Sequence, residues 1–230
     1  MANRDARQAL LGGLLVSTMA ALLALLPWWQ QPWMVHLDHA VLAAAQRWRH
    51  PTLAWWLVHF TATGSAWTVV ALTALLCLGL ARWERRGIWL QAAFFVAGAA
   101  LAGRLLKSWI GRSRPPVQFA AYVAEGYSFP SGHSTMTAAF ALLLWQLQRR
   151  RQLLLPRWAL GAVLVWAVAI GLSRPLLGVH YVSDVLMAWG LTLAWAYVYW
   201  HWRPWPEPCR RVGAALGAGA PALAAERKEG

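Results

Sequence analysis

The chain has 230 residues, 59% of them hydrophobic and only 13% charged, with 18 tryptophans. Soluble domains carry roughly 25% charged residues, so this composition excludes an ordinary soluble domain and points to a membrane protein. The 21 Lys plus Arg against 8 Asp plus Glu give a net charge of +13, but the basic residues flank apolar runs, which fits membrane orientation and excludes a nucleic-acid partner.

Charge-free stretches run from about Gln8 to Leu26, Pro51 to Ala81, Ile88 to Gly103, Ser131 to Gln148, Trp158 to Ser173 and Val185 to Trp202. A hydrocarbon core about 30 Å thick takes about 20 helical residues to cross. The second stretch is too long for one crossing, and "TATGSA" breaks it near Gly64. A short interfacial helix over Pro51 to Thr63 and a span over Ser65 to Ala81 are therefore expected. The fold class read from this pattern is all-α, an integral membrane bundle of six transmembrane helices.

The first stretch has the basic start and apolar centre of a secretory signal, but "LLPWWQQPW" offers no small-residue cleavage site. It reads as an uncleaved first span. The Trp-rich segment Pro27 to His50 contains "VHLDHAVLAAAQRW", apolar at helical spacing. That suits an interfacial helix with an architectural role in the first outer loop. His36, Asp38 and His39 read as its polar face, because no fourth ligand accompanies them to make a metal site.

The inner loops Arg82 to Gly87 and Arg149 to Arg157 are short enough for helical hairpins. The main outer loop, Gly111 to Pro130, holds the breakers Pro115, Pro116, Gly126 and Pro130. Beyond Pro204 the chain turns rich in Pro, Gly and Ala. Residues 1–203 thus read as the membrane domain and 204–230 as a disordered cytoplasmic tail. Cys77 falls in a span and Cys209 in the tail, so no disulfide is expected.

With a cytoplasmic N-terminus, 14 of the 21 basic residues fall on the inner side, as orientation demands. Arg47, Arg49, Arg104, Lys107, Arg112, Arg114 and Arg174 do not, and ionisable groups at a membrane edge point to a functional site. Three stretches stand out: "KSWIGRSRP" (Lys107 to Pro115), "PSGH" (Pro130 to His133) and "SRPLLGVHYVSD" (Ser173 to Asp184). Each lies where a span meets the outer surface, so all three can converge on one pocket.

Lys107, Arg114 and Arg174 together would be costly in apolar surroundings without an anion, and arginines bond two phosphate oxygens at once. Ser131 and Gly132 open a helix, whose unpaired amides suit an anion, and glycine allows close approach. His180 and Asp184 are four apart and so expected on one helical face. There the carboxylate holds one ring nitrogen protonated while the other presents its lone pair. Taken singly, Lys107 and Arg104 read as snorkelling anchors, Ser131 as a helix cap, and His180 with Asp184 as a polar pair between helices. Joint occurrence and spacing override those readings, while Arg104, Arg112 and Glu125 stay outside the core site.

The pattern K-x6-R-P, P-S-G-H and S-R-x5-H-x3-D resembles the type 2 phosphatidic acid phosphatase (PAP2) superfamily, and all eleven fixed positions are present. The resemblance implies a PAP2/haloperoxidase-like core and metal-independent phosphoryl chemistry without a cofactor. It implies that His180 is the nucleophile forming a phosphohistidine, His133 the general acid and base, and Asp184 the group orienting His180. Lys107, Arg114, Ser131, Gly132 and Arg174 would bind the phosphate.

The implied substrate is a phospholipid or polyprenyl phosphate, met at the outer face of a bacterial inner membrane, with undecaprenyl pyrophosphate and phosphatidylglycerol phosphate ranked first. Lipid A phosphate, phosphatidate, and transfer of the phosphoryl group to an acceptor other than water stay open. Six spans argue against a soluble vanadium haloperoxidase, and the intact motifs argue against a non-catalytic scaffold. The oligomeric state is not set by the sequence.

Overall fold

A computed structural model describes residues 26–82 and 87–202. The expected first span and the tail 204–230 lie outside the described residues, apart from Leu26 at the end of that span. The described residues form helices and no strand: α1 (Pro32–Trp48), α2 (Pro51–Ala62), α3 (Ala66–Arg82), α4 (Ile88–Ile110), α5 (Gly132–Arg149), α6 (Arg157–Leu176) and α7 (Val182–Trp202). Short 3-10 turns cover Leu26–Gln30 and Val117–Phe119.

The local causes are legible residue by residue. Pro32 and Pro51 stand at the first positions of α1 and α2, where a missing amide costs nothing. The break expected near Gly64 is present: Ser65 Oγ accepts from the Thr68 amide at 3.2 Å and starts α3, as a helix cap does. Gly64 itself is required by proximity, since a Cβ there would lie 2.7 Å from Ile170 Cγ2 of α6. α4 runs on to Ile110 and stops at Gly111, which is left-handed with φ of 62°. It therefore exceeds the charge-free stretch, and Arg104 and Lys107 ride on its last turns.

Among the described residues, three segments are long and apolar enough to cross a membrane: residues 51–82, 88–110 and 157–176. α5 is not among them, and its surroundings explain it. α5 packs against α3, α4, α6 and α7 and buries Ser134, Thr135, Thr137 and Gln146 along with its leucines. A helix enclosed by protein does not need an apolar outer face. Met136, Ala139, Leu143 and Leu147 of α5 form the core with Ala92, Phe95 and Ala99 of α4, Val69 of α3, and Ala196 and Tyr199 of α7.

Where the surroundings are apolar, helix association depends on close fit rather than on water exclusion. Gly98 provides it on α4, where a Cβ would sit 2.2 Å from the Trp195 ring of α7. The Trp195 indole N–H donates to Phe95 O at 2.9 Å. A Cβ on Gly171 of α6 would likewise sit 2.4 Å from the Trp189 ring of α7, so Trp189 and Trp195 are helix-contact residues, while Trp48, Trp67 and Trp158 point outward.

α1 lies over the ends of α6 and α7. Its inward face is Met34, Asp38, Leu42 and Ala45. This corrects the reading of Asp38 as part of an exposed polar face: it is 1% exposed, whereas His36 and His39 do point outward.

Candidate active site

The antiparallel order of α4 to α7 brings four helix ends together: the last turn of α4, the first of α5, the last of α6 and the first of α7. The three motifs occupy these ends.

α6 terminates in a Schellman motif. The Val179 amide donates to Arg174 O at 3.3 Å and the Gly178 amide to Pro175 O at 2.9 Å, with Gly178 left-handed at φ of 68°. This turn accounts for the five residues between Arg174 and His180: they close one helix and carry the chain to the start of the next. A Cβ on Gly178 would lie 1.8 Å from Phe119 O of the outer loop. Gly178→Ala is therefore expected to cost more than about 2 kcal/mol from backbone strain and the displaced loop, read as a fall in thermal unfolding midpoint in detergent.

His180 and Asp184 are not on one helical face, as the sequence reading expected. His180 precedes α7, and Asp184 sits in the first turn and reaches back. Its Oδ2 accepts from the Tyr181 amide at 2.9 Å, the reciprocal half of a capping box. The same oxygen lies 3.2 Å from His180 Nδ1 and accepts the Ser128 hydroxyl. With Nδ1 carrying the proton toward a carboxylate, Nε2 holds the lone pair, and it faces Arg114 Nη1 at 3.3 Å.

His180 is 2% exposed. Burial pulls its pKa from 6.5 to about 4; Asp184 acts in the opposite direction, and Arg174 and Arg114 add to the lowering. The imidazole is therefore neutral at ordinary pH.

The cations converge on the same place. Arg114 donates to the carbonyls of Glu125, Gly126 and Val179. Burial and the nearby Arg174 charge push its guanidinium below the ordinary arginine value. Arg174 donates to Thr61 Oγ1 at 3.0 Å and to the Tyr122 hydroxyl at 2.8 Å, while its buried Nε has no partner. Lys107 Nζ donates to Tyr127 O at 2.8 Å. Among the described residues no carboxylate pairs with Lys107, Arg114 or Arg174: the ion pairs there join Asp38 and Asp184 to Arg112, and Asp184 to His180.

His133 lies within electrostatic reach of Arg174, His180, Arg114 and Lys107. It stands on the first turn of α5, whose first helical bond runs from the Thr135 amide to Ser131 O. The amides of Gly132, His133 and Ser134 thus precede that bond and face out of the helix end. Gly132 is exposed, and a Cβ on it would touch nothing within 4 Å; neither fold nor contact demands glycine there. Ser131 is buried, and its amide donates to Asp184 O at 3.1 Å.

The structure thus gathers all eight residues expected from the motifs around four helix ends. Arg104 is exposed and outside the cluster, as is Glu125, whose backbone alone takes part. Sequence reasoning missed Thr61, Tyr122, Ser128, Ser183, Asp38 and Arg112. For Arg112 and Asp38 a signal existed: Asp38 sits at helical spacing among Met34, Leu42 and Ala45, an acid on an apolar stripe in a chain with few acids. Among the described residues no group of three His, Cys, Asp or Glu is placed to hold a metal ion.

Fold and cluster together define a helical protein with membrane-length apolar helices and a cationic, imidazole-bearing pocket at one end of the bundle. The sequence profile of the PAP2 superfamily matches residues 88–207, and the chain belongs to that superfamily. It is 31% identical over 160 residues to phosphatidylglycerophosphatase B of Bacillus subtilis, covering 68% of this chain and 78% of the relative. It is 38% identical over 132 residues to decaprenylphosphoryl-5-phosphoribose phosphatase of Mycobacterium tuberculosis, covering 56% and 67%.

Lipid A 1-phosphatase of Rhizobium johnstonii is 36% identical over 109 residues, and the chain spans only 41% of that relative's length. A crystal structure of the transmembrane PAP2 type phosphatidylglycerolphosphate phosphatase from Bacillus subtilis superposes with a TM-score of 0.69 at 26% identity, over 80% of this chain and 93% of that one.

Proposed function

We propose that the protein is a membrane lipid phosphatase that removes a terminal phosphate or pyrophosphate group through a phosphohistidine on His180. The observation that carries this reading is the imbalance at the helix ends. Three cations without carboxylate partners among the described residues converge on the two histidines: all three reach His133, and Arg114 and Arg174 reach His180, whose Nδ1 is held by Asp184 and whose Nε2 faces Arg114.

A phosphoryl group brings the missing negative charge, and its transition state spreads charge over oxygens that Lys107, Arg114, Arg174 and the α5 amides can stabilise. Nε2 of His180 attacks phosphorus as the bond to the leaving oxygen breaks, and His133 passes its proton to that oxygen. Water then attacks the phosphoimidazole, His133 takes the water proton, and the N–P bond breaks to free phosphate and His180. The open space before Gly132 leaves room for the phosphoryl oxygens against the helix end.

Because His180 titrates at about 4, its nucleophilic form persists through the mildly acidic range and is lost only as pH falls through that value. The acid limb that His180 imposes on the burst of phosphoenzyme should accordingly lie near pH 4. A His180 limb near 6.5, the ordinary histidine value, would show the imidazole to be solvated and unassisted.

We place the site at the outer face of a bacterial inner membrane, in a six-span bundle with cytoplasmic termini, and take phosphatidylglycerol phosphate and undecaprenyl pyrophosphate as the leading substrates. The names of the Bacillus and Mycobacterium relatives support a phospholipid or polyprenyl phosphate. The test is a panel of phosphatidylglycerol phosphate, undecaprenyl pyrophosphate, lipid A phosphate and phosphatidate given to purified protein in EDTA, with free phosphate measured. Turnover of at least one lipid in chelator is expected, since side chains and amides supply the positive charge. A strict Mg²⁺ requirement, or a phosphorylated acceptor lipid in place of free phosphate, contradicts it.

A further inference from the structure

Asp184 is held from a second side. Its Oδ1 accepts from Arg112 Nη1 at 2.7 Å, and the same nitrogen donates to Ser183 Oγ at 2.7 Å. Arg112 Nη2 donates to Asp38 Oδ2 of α1 at 2.9 Å. Asp38 also accepts the Ser183 hydroxyl, and its Oδ1 accepts the Ser183 amide at 3.0 Å. The Arg112 guanidinium is clamped between two rings, 4.2 Å from the centre of Trp29 and 4.0 Å from that of Tyr181.

The arrangement is buried, with side-chain exposures of 8% for Arg112, 1% for Asp38 and 0% for Asp184. Burying two carboxylates and a cation is a poor way to gain stability, because desolvation offsets the attraction and apolar residues would serve as well. What the network does supply is direction. A planar guanidinium bridging two carboxylates leaves each little rotational freedom. With Oδ1 of Asp184 fixed on Arg112, Oδ2 must point at His180, Ser128 and the Tyr181 amide.

We propose that Arg112 and Asp38 are positioning residues for the His180–Asp184 pair: the α1 carboxylate sets the guanidinium, and the guanidinium fixes which Asp184 oxygen faces the imidazole. This rests on the phosphohistidine reading and extends it to the first outer helix, which thereby takes part in setting the nucleophile. Lysine in place of Arg112 keeps a charge but cannot span both carboxylates.

The test compares wild type, Asp38→Asn, Arg112→Lys, Asp184→Asn, the doubles Asp38→Asn/Asp184→Asn and Arg112→Lys/Asp184→Asn, and His180→Ala. Phosphatidylglycerol phosphate in detergent micelles is the probe, and rates are taken per folded molecule. Asp38→Asn is nearly isosteric and keeps an acceptor for Ser183, so it carries the test if Arg112→Lys folds poorly.

Asp38→Asn and Arg112→Lys are each expected to lower kcat about 10-fold with KM within about twofold. On the Asp184→Asn background the further loss should shrink to less than about twofold, because both residues act through that carboxylate. Wild-type kcat in Asp38→Asn and Arg112→Lys, an effect on KM alone, or an undiminished loss on the Asp184→Asn background overturns the proposal. Turnover by His180→Ala instead defeats the phosphohistidine reading itself, so the two failures are separable.

Discussion

His180→Ala is expected to lower phosphate release by about 10⁴-fold or more, the scale on which nucleophile deletions act in covalent catalysis. The loss should fall on kcat, since the cationic side chains proposed to hold the phosphate remain. The polar contacts of the imidazole set its direction: Nδ1 toward Asp184 and Ser128, and Nε2 toward Arg114. Alanine leaves a small void at a turn whose path is set independently by the Schellman motif and the Asp184–Tyr181 contact. The variant should therefore fold, which near-ultraviolet circular dichroism of the tryptophans would check. Substantial turnover by folded His180→Ala would remove the nucleophile assignment.

His133→Gln should have the second largest effect, and its form depends on the leaving group. With a lipid alkoxide, loss of the acid should slow phosphoenzyme formation by about 10²- to 10⁴-fold. With an activated aryl phosphate, whose leaving oxygen needs no proton, formation should be nearly unimpaired while hydrolysis of the N–P bond still lacks its base. A burst of phenol equal to the enzyme present, followed by a slow steady state, is expected. Equal slowing of both substrates without a burst would assign His133 a binding role only.

Much of the site was legible because the motifs are local: Arg114 to Pro115 follow the end of α4, Ser131 to His133 open α5, and Arg174 to Asp184 join the end of α6 to the start of α7. The order of spans alone puts those ends on one side. Helix limits were less so, since charge-free stretches stop at the first charged residue while the helices run past it. Lys107 rides on α4 and Arg174 on α6, both beyond the limits that charge suggested. The His180–Asp184 spacing was compatible with a helical face, yet the chain uses it across a helix start, because Asp184 also caps the Tyr181 amide.

What the sequence could not show is contact across long separations. Arg112 and Asp38 are 74 residues apart and Arg174 and Thr61 are 113 apart. No periodicity within one segment encodes those meetings.

The stereochemistry of hydrolysis at an isotopically chiral phosphoryl group tests the covalent step most directly. Two in-line displacements, first by His180 and then by water, predict phosphate with retained configuration. Phosphate of inverted configuration would mean that water attacks the lipid phosphate in one step, and no bond forms between the imidazole and phosphorus.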